Sequence, residues 1–171
     1  MTAYIHLKPA LQEFVVCAFL DGSRQVSAAD TFGKLIKPWL TTPPDGYNPI
    51  VPDGPDVFEF ELPAYDDKNT AYNFYIAPKA QKYIATMLNE MFLNQMFVHL
   101  DKILPRMENE QIKDAIYDYC YSYSITMEHV QYDTLKKAYY RYRQKKHRKK
   151  SSGFVPVLSL LSLTVLISLI L

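Results

Sequence analysis

Pro78-Lys-Ala-Gln-Lys-Tyr-Ile-Ala-Thr-Met-Leu-Asn-Glu-Met-Phe-Leu-Asn-Gln-Met-Phe-Val-His-Leu-Asp-Lys-Ile-Leu104 contains no glycine and, after its first residue, no proline. Proline suits the first position of a helix, where its missing N–H has no intrahelical partner. Ile84, Met87, Leu88, Met91, Phe92, Met96, Leu100 and Ile103 follow at helical spacing, so the run predicts one long helix of roughly 40 Å at about 1.5 Å per residue. Its methionines could line an adaptable partner groove or a cofactor face. The simpler reading is a core helix around which a small domain packs, ended by Pro105.

Upstream, Ala3–Lys8 and Val57–Leu62 both carry the alternation of half-buried strands, and each is the other's natural antiparallel partner. Tyr72–Ile76 is either a third strand or an extended lead-in to the long helix. Between the strands, Pro9–Leu20 has a helical apolar face of Leu11, Phe14, Val15, Ala18 and Phe19, stopped by Asp21-Gly22-Ser23. A shorter helix is expected from about Asp30 to Leu40, capped by Asp30 or Thr31, with Phe32, Leu35, Ile36 and Trp39 on one side and Pro38 against its end. Seven of the eleven prolines fall between Pro38 and Pro63, which makes 41–56 a loop.

Downstream, Gln111–Tyr123 predicts a helix with Ile112, Ala115, Ile116, Tyr119, Cys120 and Tyr123 on one face. Thr126 suits the cap of a very short helix through Val130, and Asp133 or Thr134 the cap of a last one. That last helix turns Leu135, Ala138, Tyr139 and Tyr142 inward. Lys136, Lys137, Tyr140, Arg141, Arg143, Lys145, Lys146, Arg148 and Lys149 fall on its other sides and its end.

The formal charge of +1 conceals an asymmetry. Residues 1–135 carry 10 Lys and Arg against all 18 acids, and residues 136–150 carry 9 Lys and Arg with no acid. An apolar stripe that docks a helix, with cations on its far side, is what a helix entering the DNA major groove requires. Neutralising phosphates releases counterions, so such binding is salt-dependent even without sequence preference. Arg141 and Arg143 are favoured for base contacts, because a guanidinium bonds bidentately to a guanine edge. Against this stands the ordinary reading of a charge run as a solvated face. The acidic remainder repels DNA and confines any contact to this end.

Over 111–148 the chain resembles helix-turn-helix DNA-binding modules, and Tyr132-Asp-Thr-Leu-Lys-Lys-Ala-Tyr-Tyr-Arg-Tyr-Arg143 looks like the closing helix of small proteins encoded by bacterial phages and integrated mobile elements. The resemblance implies DNA binding in regulation or processing of such an element and carries over no catalytic residue. The Ala-x-x-x-Gly spacing of the best-known pattern is absent, and no glycine occurs between Gly54 and Gly153.

Phe154–Leu171 holds no charged residue. As a helix of ~27 Å it barely matches a bilayer core of ~30 Å. Lys145–Lys150 just before it satisfy the positive-inside rule and would contact anionic headgroups, giving a tail anchor with the body on the cytoplasmic side. A buried C-terminal helix or an incidental extension after Lys150 are the other readings.

Cys17 and Cys120 have no CxxC spacing, and with no secretory signal they predict two buried thiols in a reducing compartment. His6, His99, His129 and His147 are scattered one per segment, so no metal site is expected. No phosphate-binding glycine loop, zinc-protease motif or nucleophile elbow occurs. Asp66-Asp67 and Glu108/Glu110 sit in polar segments as solvated charge, and alternating Tyr117, Tyr119, Tyr121 and Tyr123 are scattered around a helix rather than forming a stacking platform.

These patterns predict an α+β, mostly helical chain: an acidic domain over 1–105 with a small antiparallel sheet, a basic three-helix, helix-turn-helix-like module over 106–150, and a hydrophobic tail over 151–171. The expected function is non-enzymatic binding of double-stranded DNA through 134–149, without cofactor, the acidic body serving oligomerisation or another partner. The alternative is a tail-anchored membrane adaptor whose basic segment sets topology. The first places the chain in the cytoplasm, the second on the cytoplasmic face of a membrane.

Overall fold

A computed structural model describes residues 1–48, 50–104 and 111–151. The fold is α+β and mostly helical, with a small antiparallel β part. Strand β1 (Thr2–His6) pairs with β3 (Val57–Glu61), and the register sets Ala3 against Phe60 and Ile5 against Phe58. Those four side chains are buried, while Glu59 and Glu61 face outward. The period-two pattern thus fixes both pairing and face. Tyr75–Ile76 (β4) does form a short strand, but its partner is β2 (Leu40–Thr41), in a second two-stranded sheet.

Helix α1 (Pro9–Phe19) buries Leu11, Phe14 and Val15. Helix α2 (Thr31–Ile36) is shorter than the sequence suggests, because the chain tightens into a 3-10 turn at Lys37–Trp39, around Pro38. Lys68 Nζ donates to the carbonyls of Lys37 and Leu40, both at 2.8 Å, satisfying acceptors at that helix end. Asp30 precedes α2 but makes no side-chain cap to it, and its carboxylate accepts the Ser27 N–H at 2.7 Å instead.

The long helix is α3 (Pro78–Ile103). Ile84, Leu88, Phe92, Met96 and Leu100 are buried in the core, and Met87, Met91 and Ile103 are partly buried beside them. Met96 is therefore core and Met91 packs against it, while Met87 is partly exposed. Buried Gln81 ties its first turn to both sheets, accepting the His6 N–H at 3.2 Å and donating to the Ile76 carbonyl at 2.9 Å.

Helix α4 (Ile112–Ser122) packs Ala115, Ile116, Tyr119 and Cys120 into the same hydrophobic core as α1 and α3. Of its tyrosines, Tyr119 is buried and Tyr121 exposed, the scatter that a helix imposes. Burial pushes the Cys120 thiol up to about 11. The other cysteine departs from expectation: Cys17 is a free thiol that is only partly buried.

The end of α4 solves the missing-glycine problem with a serine. Ser124 adopts φ +55° and donates its N–H to the Tyr121 carbonyl at 3.0 Å, while buried Ile125 donates to the Cys120 carbonyl at 2.9 Å. This is a Schellman closure with a non-glycine residue in the left-handed position. The chain then makes a 3-10 turn at Met127–His129 and enters α5 (Tyr132–Ser151), which starts two or three residues earlier than a cap at Asp133 or Thr134 predicts, so both of those residues lie inside the helix and Gln131 precedes it. Thr134 Oγ1 donates to Gln131 Oε1 at 3.2 Å. Leu135 and Tyr139 are buried in the common core, and Ala138 and Tyr142 pack against it.

No helix among the described residues is long and apolar enough to cross a membrane. The apolar stretch 154–171 and the Glu108/Glu110 pair lie outside the described residues.

Candidate functional site

Two carboxylates from the body hold α5 in place. Asp101, in the last turn of α3, accepts hydrogen bonds from Tyr139 Oη at 3.1 Å, Tyr142 Oη at 2.8 Å and Lys146 Nζ at 2.6 Å. The three donors follow at three and four residues, so one face of α5 closes on one carboxylate. Tyr142 also stacks on Phe97 of α3, with ring centroids 4.6 Å apart. Glu13 of α1 holds the approach. It accepts the Thr126 N–H at 2.9 Å and hydroxyl at 2.7 Å, and His129 Nδ1 lies 3.1 Å away. Thr126 thus stands at the predicted cap position without capping through its own side chain. Glu13, remote in sequence, supplies the negative charge at that turn.

The Asp101 carboxyl is raised by burial, then brought below its ordinary value by the hydrogen bonds from Lys146, Tyr142 and Tyr139 and by the Lys146 charge. A carboxylate with a depressed folded-state pKa contributes stability that is present above about pH 4, its unfolded value, and lost as pH falls through the folded one. Asp101→Ala should therefore cost about 1.5 kcal/mol at pH 7, a figure reduced for partial exposure. Urea midpoints of the two proteins at pH 7 and pH 3 check this. The gap should shrink at pH 3, and an equal gap at both pH values would refute the charged role.

With one side of α5 fixed, the other is defined. At about 100° per residue, Gln144 stands opposite Leu135 on the helix circumference. Asp133, Lys137, Tyr140, Arg141, Gln144, His147 and Arg148 lie within about 60° of that outward line, and all seven are exposed. Lys145 lies on one flank, also exposed. On the other flank Lys136 Nζ sits 5.5 Å over the Tyr132 ring and Arg143 Cζ 5.9 Å over the Tyr139 ring. Lys146 is on the docked side, held by Asp101. Nothing is described of the Lys149 side chain.

The predicted residues thus separate. Lys137, Tyr140, Arg141 and Arg148 come together on the outward face, Lys145 borders it, and Lys136 and Arg143 form an opposite border stacked on tyrosines. Lys146, itself exposed, is paired with Asp101 on the docked side. Sequence reasoning passed over Gln144, which shares the outward face, and Asp101 and Glu13, which orient it. A helical projection was enough to find Gln144.

A cleft of about 720 Å³ lies beside α1, lined among others by Gln12, Glu13, Cys17, Arg24 and His129. Its most buried polar group, the Gln12 amide, already donates to the Leu7 and Pro55 carbonyls at 2.9 and 2.6 Å. Glu13 is engaged as described, so these polar walls serve the fold. Among the described residues no group of three or more His, Cys, Asp or Glu is placed to hold a metal ion. Of the paired acids, Asp67 meets Lys37 at 2.6 Å in an exposed ion pair. Comparison of the chain with family models, curated proteins and solved structures finds no match in any of the three.

Proposed function

We propose that this chain is a non-enzymatic double-stranded-DNA-binding protein that lays the outward face of α5 against the duplex, in regulation or accessory processing of a phage or mobile element. The observation that carries the reading is the ridge itself: exposed Lys137, Arg141, Lys145 and Arg148 on a helix whose opposite side is docked through Leu135, Tyr139 and Tyr142. A docked helix presents its charges without a further ordering cost, and Lys and Arg in this number suffice for phosphate-driven affinity. The helix-turn-helix-like reading is supported by the packing of α4 against α5, the last helix among the described residues. The connection over 123–131 is longer than the usual three- or four-residue turn. The acidic remainder keeps DNA to this one face and leaves the body for self-association or another partner.

The test is fluorescence anisotropy of the full chain with mixed duplex DNA across a salt series, beside Arg141→Ala/Lys145→Ala. Binding should weaken steeply between roughly 50 and 200 mM salt, and the double variant should lower the slope by about two ions. Absence of binding at the lowest salt would overturn the reading.

A second reading is favoured by one observation: the cationic Lys145–Lys150 immediately precedes the uncharged 154–171. On that reading the basic segment meets anionic headgroups and the chain is a tail-anchored membrane adaptor. Flotation with liposomes, compared between the full chain and one ending at Lys150, tests it. Equal behaviour of the two would remove it.

A further inference from the structure

We infer that Gln144 is a base-reading residue of α5, selecting an adenine, and that Lys137 two turns earlier reads a second base on the same line. The inference rests on the DNA-binding reading above.

A helix in the major groove turns its crest to the base edges and its two flanks to the two phosphate backbones. Which residues form the crest is set here by the docked side. Leu135, Tyr139 and Tyr142 face the core and Lys146 faces Asp101, so the crest is Gln144, with Lys137 and the exposed first-turn Asp133 about 20° to either side of it. Arg141 and Lys145 fall on one flank, about 60° and 100° from the crest, and Lys136 and Arg143 on the other, about 80° and 100° away. Arg143 is further set aside by its place over Tyr139. The arginines that composition favours for bases are thus positioned for phosphates.

Gln144 differs from its neighbours in chemistry as well as in position. Both flanks are dominated by cations, which attract any sequence alike. Its side-chain amide is neutral and carries both a donor and an acceptor, the combination that pairs bidentately with adenine N7 and N6. It is exposed, and a neutral amide adds nothing to counterion release. Its expected signature is therefore a change of preference without a change of salt dependence. Lys137 and Gln144 are seven residues apart, or about 10.5 Å along the axis. At 3.4 Å per base pair that separation corresponds to roughly three base pairs if the helix follows the groove.

The experiment is selection of the full chain against a randomised duplex pool, followed by anisotropy with the selected site and with mixed DNA, for the native chain, Gln144→Ala and Gln144→Arg. The native chain should enrich an adenine at one position. Gln144→Ala should bind mixed DNA within about twofold of the native chain with the same salt slope, and lose about 5- to 150-fold discrimination at that position. Gln144→Arg should move the preference there to guanine, and far-UV circular dichroism should show both variants folded. Unchanged selection by both variants, or native binding that enriches no sequence, overturns this inference and leaves DNA binding standing. No binding of the native chain to mixed DNA at low salt overturns both.

Discussion

Replacing Gly33 with alanine should cost the fold about 3 kcal/mol, because the new methyl has nowhere to go. A Cβ built on Gly33 would stand 2.0 Å from the Ser27 carbonyl oxygen and 3.1 Å from Val26 Cγ1. Most of the obstruction is backbone, which no rotamer change relieves. The obstructing segment is also tied on both sides. Ser27 O accepts the Asp30 N–H at 3.2 Å, Ser27 N donates to the Asp30 carboxylate, and Val26 N donates to the Glu61 carbonyl of β3 at 3.2 Å. From the other direction, the Gly33 carbonyl accepts the hydroxyl of buried Tyr65 at 2.8 Å. Burial, with the Asp30 charge, raises that hydroxyl to about 12, so it remains a donor at neutral pH. Moving α2 away from Ser27 would strain this bond, and moving Ser27 away from α2 would strain β3. The urea midpoint should fall by about 1.5 M for a slope near 2 kcal/mol/M. A fall under about 0.5 M would show that the approach yields easily.

The sequence makes some of these features legible and hides others for physical reasons. Alternation in 57–62 and the uninterrupted helical period of 78–104 are local patterns, and both elements form where the patterns place them. Pro38 marks the end of α2 just as legibly, although its residues tighten into a 3-10 turn instead of extending the helix. The pairing of β2 with β4 has no such signal, since two residues a side are too few to show a period. Ser124 in a left-handed conformation is invisible to a search for turn glycines.

The candidate site shows the same division. The cationic content of 136–149 is plain in the sequence, whereas the partition between cations on the outward face and those on the docked side is not. Lys146 and Arg141 are both cations in the same run. What separates them is Asp101, which lies 45 positions before Lys146 and meets it only because α3 and α5 pack together. Likewise Glu13 reaches Thr126 across 113 positions. Local periodicity predicts which side of α5 is apolar, and only tertiary packing tells which of its cations a carboxylate of another helix holds.

The largest loss is expected at Phe14, where alanine should remove about 4 kcal/mol. Phe14 is fully buried, and its ring meets three others edge-on: Phe19 at 5.5 Å, Phe92 of α3 at 5.4 Å and Tyr123, at the end of α4, at 5.1 Å. Truncation therefore opens a cavity at the point where α1, α3 and the end of α4 meet, and it removes edge-to-face contacts worth about 0.5–1.5 kcal/mol each. Backbone collapse is resisted nearby, because Tyr119 donates to the Phe92 carbonyl at 3.0 Å and Tyr123 to Gln95 Oε1 at 2.8 Å. For a domain whose whole stability is about 5–15 kcal/mol, this is a large share. Phe14→Leu, which refills most of the volume, should cost about 1.2 kcal/mol. Equilibrium urea unfolding of the three proteins distinguishes the cases. A loss below about 1 kcal/mol for Phe14→Ala would mean that the site refills itself. The outward face of α5 lies on the side turned from this core, so under conditions where Phe14→Ala is folded, any DNA binding should keep the native salt slope. A changed slope would show that the α1–α3–α4 junction governs how α5 is presented.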